Sequence, residues 1–207
     1  MNYLKLGKLP IDFINFFYNE LLKRKDPLRE YQLIHLDLFL FDKFQEFFIN
    51  KELTIPWLQA DNNLPSRPVQ KGFYSPVGSG WTIHKDGIDC KSALNVALSS
   101  NDGDWVRWYN EDVVNSISSP GLKKFTTGLY SRDTDIENYE DVPFVDELRV
   151  ETGDVYALDT DKFHSFKCIG PNPRLILQTK FFRNPSFEII VESLSKESFS
   201  NIIKNDE

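Results

Sequence analysis

The spacing of hydrophobic positions changes along this chain, and the change predicts its architecture. Over residues 10–25 apolar side chains recur at Ile11, Phe13, Ile14, Phe17, Leu21 and Leu22, the spacing of one helical face. Pro10 stands where a helix start tolerates a missing amide hydrogen. A second aromatic stretch, Phe39 to Ile49 with Phe41, Phe44, Phe47 and Phe48, reads as another helix. From about residue 72 the pattern turns to short apolar runs separated by Gly, Pro, Asn and Asp: 80–85, 93–98, 105–109, 148–150, 154–158, 165–169, 175–182 and 187–191. Such runs predict a mainly β (α+β) fold, a jelly-roll barrel with N-terminal supporting helices. Helical patterns do not fall regularly between the strands, as a parallel β/α fold requires.

The expected organisation is a single domain over 1–207. Residues 1–71 form a helical support, 72–192 the jelly-roll core, and 193–207 a tail with a short helix. The polar, acidic stretch Asn115–Asp146 carries Pro120, Gly121 and Gly128, and reads as a lid loop over one mouth of the barrel.

Composition narrows the functional classes. The chain has 207 residues, 41% of them hydrophobic and 17 of them Phe, enough for a sizeable core. A net charge of −7 argues against a nucleic-acid partner, which needs a basic face, and favours a neutral or cationic substrate. No apolar run approaches the roughly 20 residues of a membrane span, and the N-terminal residues do not read as a secretory signal. Two cysteines, Cys90 and Cys168, cannot build a disulfide framework, so a reduced, cytoplasmic setting is the expectation. Oligomeric state is left open.

The chemistry rests on histidine. There are three, His35, His84 and His164. Two of them open a His-x-Asp pattern, His84-Lys85-Asp86 and His35-Leu36-Asp37. Residues i and i+2 of a strand share a face, so an imidazole and a carboxylate can converge on one cation. His35 lies in a dense apolar run and reads as a core or rim residue. His84 and Asp86 stand at a strand end followed by a polar turn, within reach of solvent. His164 follows the turn Thr160–Lys162 and begins another strand, from which a third ligand can come. Two imidazoles and one carboxylate on one side of an iron leave the other positions open.

With these residues in place, the segment of roughly 72–185 resembles the Fe(II)/2-oxoglutarate-dependent dioxygenase superfamily. Its double-stranded β-helix carries a His-x-Asp pair, a distal His, and an Arg or Lys about ten residues further on. The matching residues are His84, Asp86, His164 and Arg174, with Gly153-Asp154 at a turn and Asn95 in the strand after the first motif. The resemblance implies Fe(II) held by His84, Asp86 and His164, and 2-oxoglutarate as co-substrate. It also implies hydroxylation of a small-molecule, amino-acid or protein substrate. Arg174 would grip the distal carboxylate through its two-pronged guanidinium. Ile176 departs from the Ser or Thr that many relatives carry two residues after the Arg, so Asn95, Tyr109 and Gln178 are candidates for a supporting contact. Trp57 and Trp81 could shape a substrate mouth or pack in the core. Two further readings remain: a cupin-type metal-binding jelly roll with other chemistry, and a non-catalytic β-sandwich binding module. A tetrahedral zinc site from His84, Cys90, His164 and Cys168 is a rival arrangement of the metal ligands.

Overall fold

The computed structural model of the protein describes residues 1–27, 32–37, 39–40, 42–44, 70–86, 90–118, 121–124, 130–181 and 184–194. Among these, twelve strands form two six-stranded sheets in which every pairing is antiparallel. The strands are β1 Tyr3–Lys8, β2 Gln32–His35, β3 Gln70–Ser75, β4 Gly80–Lys85, β5 Ser92–Ser99, β6 Trp105–Tyr109, β7 Gly121–Lys124, β8 Tyr130–Asp133, β9 Phe144–Arg149, β10 Asp154–Asp159, β11 His164–Lys167 and β12 Arg174–Lys180. One sheet has the order β1-β10-β5-β12-β3-β2 and the other β7-β8-β4-β11-β6-β9. Their inner faces pack on each other in the jelly-roll manner.

Side-chain parity sorts the apolar residues into three layers. On one side of the first sheet, Leu94, Val96, Leu98, Val155, Ala157, Leu175 and Leu177 meet α1 (Ile11–Lys23) through Phe13, Phe17 and Leu21. Residues of opposite parity, Ala97, Tyr156, Leu158 and Ile176, face the second sheet and meet Val106, Trp108, Leu148 and Val150. Outside the second sheet, Ile83, Trp105, Tyr109 and Phe163 pack with Val114 of α2 (Glu111–Ile117) and with Tyr139. Asn110 caps α2, its side chain accepting from the Asp112 and Val113 amides.

Four expectations need correction. The stretch 115–146 is not a long loop: the described part closes α2, forms β7 and β8, and enters β9, so it extends the second sheet beside β4. Residues 187–191 form the start of a helix, α3 (Phe187–Leu194), whose Phe187, Ile190 and Leu194 join the α1 layer. A five-residue apolar run does not by itself distinguish a buried strand from a helix turn. The support over 1–71 also contains strands, because β1 pairs with β10 and β2 with β3. The register of β1 shifts at Gly7, whose φ is 145°. The strand expected at 165–169 runs from His164 to Lys167. The proposed tail helix beyond 194 and most of the proposed helix over 39–49 lie outside the described residues.

One contact ties the outer layer to the strand that carries His84. A Cβ built on Gly80 would lie 2.0 Å from the Tyr139 hydroxyl and 2.6 Å from the Phe166 carbonyl oxygen. Gly80→Ala is therefore expected to cost about 1–3 kcal/mol of stability, read as a lowered urea midpoint. An unchanged midpoint would show that β4 and β11 can separate there without penalty.

Candidate metal centre

Register brings the three candidate metal ligands together. In β11, His164 pairs with His84 of β4 on one side and with Trp108 of β6 on the other. The two imidazoles lie with ring centroids 4.3 Å apart. Asp86 follows the end of β4, where its amide donates to the Thr160 carbonyl at 3.1 Å and fixes the backbone. One carboxylate oxygen, Oδ1, stands 3.4 Å from His84 Nε2 and 3.7 Å from His164 Nε2. One ligand atom from each of the three residues lies within 4.8 Å of the others, a spacing one cation can bridge.

Each imidazole is oriented by its other nitrogen. His84 Nδ1 meets the Thr82 carbonyl oxygen at 2.8 Å, and His164 Nδ1 meets that of Lys162 at 2.9 Å. A carbonyl only accepts, so both Nδ1 atoms carry hydrogen and both Nε2 atoms turn to the centre. Burial opposes charge on both rings. At His164 burial and the neighbouring His84 hold the pKa down to about 4, so its Nε2 keeps a free lone pair. At His84 the hydrogen bond and charge of Asp86 outweigh burial and raise the pKa. Asp86 is likewise held below the usual carboxylate range, burial being outweighed by the two histidines.

A second polar group lies deeper between the sheets. Arg174 opens β12, is 5% exposed, and faces inward with Ile176. Its guanidinium makes no hydrogen bond or ion pair among the described residues; its carbon stands 4.8 Å from the centroid of the Phe166 ring. Tyr156 of β10 and Asn95 of β5 are direct cross-strand partners on that inner face. The Tyr156 hydroxyl, the Asn95 side-chain oxygen and Arg174 Nε are all buried without a hydrogen bond. Arg174 and Asn95 lie near enough to the Tyr156 hydroxyl to favour its ionisation against burial, yet neither closes a bond of normal length on it. Buried polar atoms of native proteins nearly always have partners. Two orphans, on Tyr156 and Asn95, beside the unpaired buried Arg174 therefore fit a ligand with a carboxylate.

No family model and no curated protein sequence matches the chain. Solved structures do. HygX from Streptomyces hygroscopicus, with nickel and 2-oxoglutarate bound, matches with a TM-score of 0.57 and 14% identity, over 90% of this chain and 84% of that one. The epimerase SnoN, in complex with Fe3+, alpha-ketoglutarate and nogalamycin RO, matches at 0.55 and 12%, over 87% and 78%. A 2OG-Fe(II) oxygenase family oxidoreductase from Burkholderia pseudomallei matches at 0.52 and 10%, over 89% and 86%. The chain has the fold of the 2-oxoglutarate- and iron-dependent oxygenases.

Within that oxygenase fold, the structure sorts the sequence candidates. His84, Asp86 and His164 converge, and Arg174 and Asn95 face the same space between the sheets. Tyr109 does not join them: parity turns it to the outer face of the second sheet, where its hydroxyl shares a 2.7 Å hydrogen bond with Ser165. Tyr156, which the sequence reading missed, takes the inward position expected of Tyr109; its strand is buried along its whole length, so alternation gave little signal. Trp81 lies with its ring centroid 6.2 Å from that of His84; Trp57 is outside the described residues. In the other His-x-Asp copy, Asp37 accepts from the Leu40 amide and pairs with Arg24, at the C-terminal end of α1, at 2.7 Å. Neither cysteine enters the group that could hold an ion among the described residues. The Cys90 thiol is pushed up to about 12 by burial and then by Asp86, and Cys168 contacts the Asn172 carbonyl. No described helix is long and apolar enough to cross a membrane.

Removing any one of the three side chains, as in His84→Ala, Asp86→Ala or His164→Ala, should weaken Mn(II) or Fe(II) binding by roughly 100-fold or more in calorimetric titration. Binding must also displace the proton that Asp86 favours on His84. Affinity should therefore fall about tenfold per pH unit below the raised His84 pKa, with His164 adding nothing until near pH 4. Affinity independent of pH between 7 and 5, at roughly neutral and mildly acidic conditions, would contradict the assignment of these ligands.

Proposed function

We propose that the protein is an Fe(II)- and 2-oxoglutarate-dependent dioxygenase that hydroxylates a small-molecule, amino-acid or protein substrate. The observation that carries this is the buried Arg174, without a counter-charge, in the same cavity as the converged His84, Asp86 and His164. A metal site alone suits many cupin-type chemistries, and a non-catalytic module needs neither feature. A fixed cation at a distance from the metal fits a metal-chelating acid with a second carboxylate. HygX and SnoN, which share the fold, hold 2-oxoglutarate (alpha-ketoglutarate) in their solved structures.

The residues divide the work. His84 Nε2, His164 Nε2 and Asp86 would hold the iron from one side, leaving the remaining positions open toward the cavity. Arg174 would receive the distal carboxylate, with the Tyr156 hydroxyl and the Asn95 amide as further partners that lose their orphan status when it binds. When bound, the iron and co-substrate supply oxygen activation coupled to decarboxylation of 2-oxoglutarate to succinate. The inter-sheet layer of Trp108, Leu148, Leu158 and Ile176 keeps bulk water from the cavity walls.

Anaerobic addition of Fe(II) and 2-oxoglutarate should produce a visible metal-to-ligand charge-transfer band. Arg174→Ala should leave Fe(II) affinity unchanged and weaken 2-oxoglutarate by roughly 100-fold, and Tyr156→Phe by roughly three- to tenfold. Iron-loaded wild-type protein that shows no band, or an Arg174→Ala variant with undiminished affinity, would overturn the co-substrate assignment.

A further inference from the structure

Lys71 is, with Lys180, one of two inward lysines among the described residues that this chemistry does not use. Its place in the fold follows from parity. Gly72 faces the helical layer, since a Cβ there would lie 2.9 Å from a Leu21 methyl carbon. Its neighbour Phe73 packs against the inter-sheet cluster, so Lys71, two residues before it in β3, faces inward as well. Lys71 pairs with Gln178, and Gln178 with Asn95, which in turn pairs with Tyr156. Four strands thus place Lys71, Gln178, Asn95 and Tyr156 in one row across the cavity. Arg174 lies one strand segment below, paired with Ser75, about 13 Å along the strands at roughly 3.3 Å per residue.

A lysine at a rim ordinarily extends its amine into water. The Lys71 side chain lies almost wholly against protein instead: the residue is 3% exposed, and its amine has no hydrogen-bond or ion-pair partner among the described residues. Burial lowers its pKa to about 8, with Lys180 adding to the effect, while Cys90 and Asp86 oppose it. The same Asp86 that serves the metal centre is thus within electrostatic reach of the amine. A buried, unmatched cation is costly to the fold unless something arrives to meet it.

Charge balance says what that is. A divalent ion, Asp86, Arg174 and a doubly charged co-substrate cancel among themselves. Asp133, which faces His84 across β8 and β4, and Lys180, which lies on the inner face of β12, add one charge of each sign. Among the described residues, Lys71 is left as a single uncompensated positive charge at the height of the metal ligands. Resting on the oxygenase reading above, we propose that Lys71 determines substrate specificity by pairing with an anionic group, a carboxylate or phosphate, of the ligand bound beside the metal. The primary substrate is the favoured source of that group; the metal-chelating carboxylate of 2-oxoglutarate is the other source with the same chemistry. The acidity of the whole chain, which favours a neutral or cationic substrate, is reversed at the site itself.

The test uses full-length protein, wild type, Lys71→Met and Lys71→Arg, each loaded with Mn(II). Inorganic phosphate and acetate are titrated with and without saturating 2-oxoglutarate, read by the Mn(II) paramagnetic resonance signal, and the 2-oxoglutarate affinity is measured separately. The expected result is that Lys71→Met weakens phosphate or acetate about tenfold or more while Lys71→Arg retains them and 2-oxoglutarate binding stays within about threefold. A loss of about tenfold or more in 2-oxoglutarate affinity, with the added anions unaffected, would instead assign Lys71 to the co-substrate and overturn its role in substrate specificity. If neither the added anions nor 2-oxoglutarate respond to Lys71→Met, the proposal is overturned. Lys71→Met should also raise the thermal midpoint, because it removes an unpaired buried charge; a lowered midpoint would mark Lys71 as structural and contradict it. Should wild-type protein bind no 2-oxoglutarate at all, the oxygenase reading fails, and the titrations without 2-oxoglutarate still decide the role of Lys71.

Discussion

The site depends on one constraint, the antiparallel register that sets His164 opposite His84. β11 lies between β4 and β6, and a slip of one residue would turn His164 out toward Tyr109 and bring Ser165 inward. Several features hold that register. Phe166 faces inward under Arg174, Ser165 is engaged outside by Tyr109, and the space above Gly80 is taken by the Tyr139 hydroxyl. The backbone carbonyls of Thr82 and Lys162 then orient the two rings, each two residues before its histidine. Local strand geometry, rather than a network of further side chains, aims both ligands.

The same arrangement separates two kinds of electrostatics. Near the mouth, Asp86 sits between two imidazoles, and the three groups settle their protons among themselves: His84 favours the charged form and His164 the neutral one. Deeper in, Arg174 Nε, the Tyr156 hydroxyl and the Asn95 side-chain oxygen find no mate among the described residues. Polar groups left unsatisfied in a packed interior oppose folding, so their presence marks a place where stability has been exchanged for binding. Lys71 belongs to this second kind, although it sits at the height of the first.

Much of the metal site was legible in the sequence because its determinants are local. His-x-Asp at a strand end, a distal His beginning another strand, and an Arg opening the next one are each visible in a window of a few residues. What was not legible depended on parity and on distant pairing. Trp105-Val106-Arg107-Trp108-Tyr109 alternates on both faces with large side chains, so nothing in it says that Val106 and Trp108 face in and Tyr109 faces out. Tyr156 was hidden in a strand whose residues are all buried, where alternation of polarity is weak. β7 and β8 are polar strands at the edge of the second sheet, β7 paired with β8 and β8 with β4, which made them look like loop. Lys71 fell just before the residue at which the β pattern became readable.

The central claim is most directly tested by a crystal structure of the protein grown without oxygen and soaked with Fe(II) and 2-oxoglutarate. The account predicts iron bonded to both Nε2 atoms and to Asp86, with one carboxylate of 2-oxoglutarate on that iron and the other on the Arg174 guanidinium. Iron bound elsewhere, or 2-oxoglutarate density that leaves Arg174 unpaired, would contradict it.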